Sequence, residues 1–239
     1  MKKLMIVASV LLAAAVAVAA PRGKKGVQAS VGNDDGPTTT GRAAKFLVEQ
    51  PPRLGSQALA TPPNIQGLQQ VYKKPRQWIV LNLQYATFGS DTSKFLDQLT
   101  FNWHVLLDSK QAKENKGNRE GIADYSHFMT TVTYFNIPAG SHAASVVLPP
   151  SYYERYGEAK VCAVEITNEN GDVLYCETWS EVKGIDSGVG KKFWEDQKIM
   201  SATNKKTGKP MIENRQGLMD RSKTIWALAF PNDYETTMQ

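Results

Sequence analysis

Residues 161–179 constrain this chain more than any other stretch. They read Val-Cys-Ala-Val-Glu-Ile-Thr, then Asn-Glu-Asn-Gly-Asp, then Val-Leu-Tyr-Cys-Glu-Thr-Trp. Two runs of β-branched and aromatic residues around an Asn-Gly turn are the strongest short-range hairpin signal a sequence carries. A type I turn over residues 168–171, with Gly171 at positive φ, sets Ile166 opposite Leu174 and Val164 opposite Cys176. In that register Cys162 and Cys176 share one sheet face and lie diagonal to each other.

The first residues place the chain outside the cytoplasm. Lys2 and Lys3, an apolar run over residues 4–15 and small residues at Ala17 and Ala19 make a secretory signal peptide. Cleavage after Ala19 avoids Pro21 immediately beyond the cut, and no cysteine follows to carry a lipid anchor. Losing Lys2 and Lys3 takes the basic residues from 28 to 26 against 23 acids and the formal net charge from +5 to +3. So small an excess, without a basic stripe interleaved with aromatics, speaks against nucleic acid. The expectation is an exported protein, periplasmic or at the cell surface, with no membrane insertion after cleavage.

Export makes a disulfide the first use to consider for two cysteines. Diagonal Cα atoms lie roughly 7–8 Å apart, beyond the usual disulfide span. One residue more of loop on each side would set the pair face to face. A Cys162–Cys176 bridge and two small buried thiols both remain open.

Residues 20–74 are rich in Gly, Pro, Thr, Gln and Ser and read as a low-complexity leader or linker. Within them, residues 43–48 could form a short strand that docks elsewhere. The folded domain is expected over residues 75–231, with 232–239 as a tail. Alternating or β-rich runs mark strands at 77–88, 99–107, 125–136 and 143–148, then the hairpin, then 225–230. Residues 151–158 read as a short helix with Ser151 as N-cap and Glu154 completing a capping box. A long connection over 180–221 holds a second amphipathic helix at 191–200 and is the best candidate for a partner surface. Seven strands, one or two short helices and no βαβ alternation give an all-β fold, an antiparallel immunoglobulin-like β-sandwich, with an antiparallel barrel as the alternative.

Candidate chemistry is sparse. Residues 184–192 resemble a phosphate loop, but five residues separate Gly184 from Gly190 and Lys192 replaces the magnesium-binding hydroxyl. His104, His127 and His142 lie on different strands without HExxH spacing, so neither a metal nor a cofactor is expected. Glu154, Glu158, Glu165 and Glu177 could supply paired carboxylates, yet each has a structural use. No Gly-x-Ser-x-Gly elbow occurs, and a hydrolase would need a site assembled only in space. Tyr152, Tyr153, Tyr156 and Trp179 are the candidate partner or glycan contacts, since rings beside a sheet can stack on sugars or anchor a protein partner. Packing of the helix onto the core is the plainer use of the same rings.

Several segments carry a family resemblance: Pro-Pro-Ser-Tyr-Tyr-Glu-Arg-Tyr-Gly at 149–157, Val-Cys-Ala-Val-Glu-Ile at 161–166 and Ser-Lys-Thr-Ile-Trp-Ala-Leu-Ala-Phe at 222–230. With the signal peptide and leader, this layout resembles immunoglobulin-like secreted proteins of verrucomicrobial bacteria encoded beside type IV pilus-like components. The resemblance spans residues 76–231 and transfers no functional residue. It implies a non-enzymatic interaction or structural module that supports a pilus-like or envelope apparatus, or surface adhesion. Protein partners in the envelope, pilus or secretion components, are then expected, with glycans as the alternative. Export by a general secretory signal separates the chain from true pilins, whose long apolar helix builds the filament core.

Overall fold

The computed structural model describes residues 45–62, 76–88, 94–109, 123–205, 208–228 and 235–236. The signal peptide, most of the leader and the end of the 225–230 run lie outside those residues. Two sheets face each other across one core, as the strand alternation requires. The five-stranded sheet contains β1 (Lys45–Gln50), β3 (Trp78–Phe88), β6 (Gly140–Leu148) and β11 (Met219–Asp220) in that order, with β2 (Leu59–Ala60) also paired to β3. The seven-stranded sheet runs β10 (Ile212–Arg215), β5 (Tyr125–Pro138), β4 (Phe95–Asp108), β7 (Glu158–Thr167), β8 (Val173–Ser180), β9 (Gly188–Val189), and β12 (Glu235–Thr236) adds to β5. The sandwich is therefore open, not a closed barrel. Among the described residues every strand pairing is antiparallel except β10 with β5, which is parallel.

Alternation along the strands builds the core directly. Ile79, Leu81, Leu83 and Tyr85 of β3 point inward, and Leu99, Phe101, Trp103, Val105 and Leu107 of β4 meet them. A line of rings crosses the space between the sheets. Phe46 stacks on Tyr85 at 5.2 Å, Tyr85 meets Phe101 at 5.2 Å, and Phe101 meets Tyr134 edge-on at 5.3 Å. Phe46 also reaches Tyr175 of β8 at 5.8 Å. At the far end the Tyr134 hydroxyl donates to Asp220 at 3.2 Å, joining β5 to β11.

The hairpin turn forms as the sequence dictates, but its register does not persist. Gly171 takes φ 84°, its N–H donates to Asn168 O at 3.1 Å, and Thr167 faces Val173. A bulge between Ile166 and Thr167 then shifts the pairing by one. Ile166 faces Tyr175 and Glu165 faces Cys176, instead of Leu174 facing Ile166 and Cys176 facing Val164. Because side chains alternate, that single step moves Cys176 to the opposite face from Cys162.

Four further expectations are corrected. The sandwich begins well before Pro75: the short strand expected inside the leader is β1, and its Phe46 and Val48 are buried in the core. Helix α1 (Pro150–Tyr156) has Pro149, not Ser151, at its N-cap and no capping box. Pro150 at the first helical position supplies the right φ and has no N–H to satisfy, and Glu154 instead pairs with Arg76 at 2.7 Å. The helix expected over 191–200 is divided into a 3-10 turn (Phe193–Glu195) and α2 (Gln197–Met200), because Asp196 caps the second piece by accepting from Lys198 N–H at 2.8 Å. The strand expected at 225–230 begins as a 3-10 helix, Ile225–Leu228. Thr224 Oγ1 accepts from Trp226 N–H at 3.2 Å there, a local turn that competes with a ladder.

No helix among the described residues is long and apolar enough to cross a membrane. One close approach ties α1 to the segment between β10 and β11. Gly217 sits at φ 124° against the Tyr152 ring, where a Cβ would overlap the phenol. Gly217→Ala should lower stability by about 1–3 kcal/mol in urea unfolding, and adding Tyr152→Ala should cost less than the two single changes summed.

Candidate functional site

The four candidate contact rings are fitted into the fold. Tyr156 is buried, and Tyr152, Tyr153 and Trp179 are half-buried and packed on the main core. Phe128 takes Tyr152 and Tyr156 edge-on, both at 5.6 Å. The Arg155 and Arg215 guanidinium groups lie 5.1 and 5.6 Å from the Tyr156 ring centre. Tyr152 and Tyr156 also meet each other at 5.9 Å, so these two rings are packed with Phe128, while Tyr153 packs on the main core and Trp179 belongs to β8.

The two cysteines are unbridged and buried. Cys162 faces the main core, where burial pushes its thiol well above the ordinary range. Cys176 faces outward beneath the connection, its Sγ 3.8 Å from Lys191 O. Burial, opposed in part by Lys192, raises it to about 11. Neither is a thiolate at neutral pH, so neither has the setting of a reactive thiol.

The candidate carboxylates each hold a structural partner. Glu158 and Glu181 flank Lys160 at 3.1 and 2.9 Å, Glu165 pairs with Lys192, and Glu177 accepts from the Tyr175 hydroxyl. Lys192 also meets Glu195 at 3.1 Å. The phosphate-loop look-alike is thus spent on structure: β9 pairs with β8, Gly190 N–H donates to Cys176 O at 2.8 Å, and Lys192 is held by two carboxylates.

The histidines separate into a pair and a single. His142, on the five-stranded sheet, donates from Nε2 to Pro138 O at 2.7 Å. His104 and His127 meet on the outer face of the seven-stranded sheet, rings stacked at 5.4 Å and 9°. Asn214 Oδ1 of β10 lies 2.8 Å from His127 Nδ1, which must therefore donate. His127 Nε2 is left to accept, and His104 Nδ1–H reaches it at 3.2 Å. Trp194 lies parallel over His104 at 4.0 Å and 5°, and Phe193 stands edge-on to both histidines. Burial, then His127, then Lys192 hold His104 down at about 3. Burial also lowers His127, against the bond to Asn214. Both rings are neutral at pH 7.

This pair sits in a second apolar cluster that sequence reasoning missed. Leu106, Tyr125, Val161 and Ala163 of the sheet are buried with Ile185, Phe193 and Ile212 of the connection. The available signal was the run Val161, Cys162, Ala163, Val164, apolar at consecutive positions, which marks a strand covered on both faces. Among the described residues neither histidine bonds a carboxylate or a nucleophile, and no three His, Cys, Asp or Glu residues are grouped to hold a metal. The arrangement orders a chain of neutral donors running from His104 through His127 to Asn214.

The cysteine placement makes a simple expectation. The intact mass should be the same with and without reductant under oxidising conditions, and both thiols should resist alkylation until denaturant is added.

Comparison with known proteins agrees with the fold. The crystal structure of a protein from Akkermansia muciniphila is similar with a TM-score of 0.56 and 18% identity, covering 82% of this chain and 93% of that one. No curated protein matches. A protein-family model matches residues 50–237, a span that takes in the seven-stranded sheet, α1, the connection and all of the five-stranded sheet but β1. The chain belongs to that family.

Proposed function

We propose that the protein is a non-enzymatic interaction or structural module, exported to the periplasm or cell surface, whose partners are proteins of a pilus-like or secretion apparatus. One observation carries the reading: the side chains that could do chemistry are engaged in holding the sandwich together. The histidine pair, Cys176, the glutamates, Tyr152 and Tyr156 have structural partners, and Cys162 and Tyr153 pack in or on the main core. The family match and the likeness to a protein from a verrucomicrobium support the same reading, as does the resemblance of the sequence to immunoglobulin-like envelope proteins.

The surface left for a partner follows from where the connection stops. Beyond Glu165 no other described residue covers the outer face of the seven-stranded sheet, which carries Gln98, Thr100, Asn102, Thr131 and Thr133, partly or fully exposed. Their side chains bond one another, Thr131 Oγ1 to Asn102 Oδ1 at 2.7 Å and Thr100 to Thr133 at 3.1 Å, so the face is pre-ordered. Met129, 60% exposed, borders it. A polar face with Met129 and Phe135 as apolar anchors suits a protein surface.

The test is cross-linking in intact cells with tagged full-length protein, followed by identification of the captured proteins. Pilus-like or secretion components should be recovered from the envelope fraction, and Met129→Lys with Thr131→Lys should reduce that recovery about tenfold or more. A cytoplasmic protein, or capture that includes no envelope component, overturns the reading.

A further inference from the structure

Where the second core packs on the sheet, Phe193 and Trp194 lie against two buried histidines, side chains that can acquire a charge near neutral pH. We propose that the His104–His127 pair is an acid-sensitive latch, closing residues 185–200 over the outer face of the seven-stranded sheet when neutral and releasing them when it takes up protons.

The geometry allows one arrangement of a neutral pair. Asn214 Oδ1 can only accept, so His127 Nδ1 carries a hydrogen, His127 Nε2 accepts, and His104 Nδ1–H donates to it. The vacant basic position is His104 Nε2. A first proton there leaves the chain of bonds intact and makes a cation stacked on Trp194, which favours it. Burial and Lys192 oppose it. A second proton must go to His127 Nε2, where it would meet the His104 N–H head-on across 3.2 Å and abolish that bond.

The surrounding charges offer no relief. Lys192 approaches from the connection with the same sign as an imidazolium. Glu165 of β7 and Glu195 of the connection are the neighbouring carboxylates, and Lys192 holds both. Cys176 of β8 is a neutral thiol, and Phe193, Trp194 and Asn214 carry no charge. The pair is relieved of its charge only by water, which reaches the two rings when Phe193 and Trp194 move away.

Linkage fixes the direction. In the released form both histidines return to an ordinary value near 6.5; in the closed form His104 lies at about 3 and His127 below its ordinary value. The released form therefore binds more protons below pH ~6.5. Closure is fully favoured above that pH and weakens as pH falls, by up to about tenfold per unit for each histidine. The main core contains neither residue, so the connection should open before the sandwich does.

Hydrogen exchange of the full chain between pH 7.5 and pH 5, corrected for intrinsic rates and kept above the range in which carboxylates usually titrate, tests this. Protection of peptides spanning 185–200 should fall at least about tenfold from pH 7 to pH 5, while β3 peptides hold theirs. Glutamine offers a donor and an acceptor without a titratable proton. His104→Gln with His127→Gln should therefore keep the connection protected, with less than about a twofold change over the same range. Flat protection in the wild type, equal loss in the double variant, or simultaneous loss from β3 would each overturn the latch. If the double variant does not fold, proton resonances of the two imidazoles in the wild type decide. Titration that tracks opening of 185–200 supports the latch, and titration near 6.5 with the connection still protected overturns it.

Discussion

The line of rings from Phe46 through Tyr85 and Phe101 to Tyr134 is what the two sheets share. Backbone ladders hold each sheet internally, but only side chains hold one sheet to the other. Each ring contact contributes about 0.5–1.5 kcal/mol beyond its buried area, and these contacts come from four different strands. The line also fixes the relative position of the sheets. With Phe46 reaching Tyr175 at one end and Tyr134 bonded to Asp220 at the other, β1 is set over β8 and β11 over β5.

The connection after β8 gives the molecule a third, partial layer. It leaves the sheet at Ser180, lays Ile185, Phe193 and Trp194 across the outer face, returns as β10 beside β5 and then crosses to the other sheet as β11. The parallel β10–β5 pair follows from that route, since a chain that has travelled over the sheet re-enters with the direction its path imposes, not with that of a hairpin. Among the described residues the outer face is thereby covered and apolar around Leu106, Val161 and Ala163, and polar around Thr100, Asn102 and Thr131. The division falls near Glu165, whose bond to Lys192 marks the border.

How much of this was legible depended on how local each cause was. The Asn-Gly turn is set by five residues, and its Gly171 conformation and first pair came out as the sequence dictates. The bulge one residue further on leaves Leu174 of β8 without a partner on β7, while β7 keeps a regular register with β4 there, Thr100 facing Thr167 and Phe101 facing Ile166. No turn rule contains that information, and so the cysteines were set on one face when they lie on two. Strands with strict alternation, β3 and β4 above all, were placed within a few residues. The run at Ile225 failed because six apolar residues in a row carry no period, leaving the Thr224 turn to decide. The histidine pair was unreadable for another reason. Its members come from β4 and β5, its anchor from β10 and its cover from the connection, so four distant segments must be placed before the site exists.

Strand β1 has a practical consequence for anyone preparing this protein. It lies just ahead of the region that matches the family, in a stretch whose composition invites removal as a flexible lead-in. Yet Phe46 sits between Tyr85 and Tyr175, and β1 covers the flank of β3 from Gln84 to Phe88. A shortened chain starting near Pro75 would wet two aromatic rings and present a bare apolar strand to its neighbours, the condition under which sheets join edge to edge. Poor behaviour of such a truncation would reflect a missing wall of the sandwich, and expression should begin upstream of Lys45.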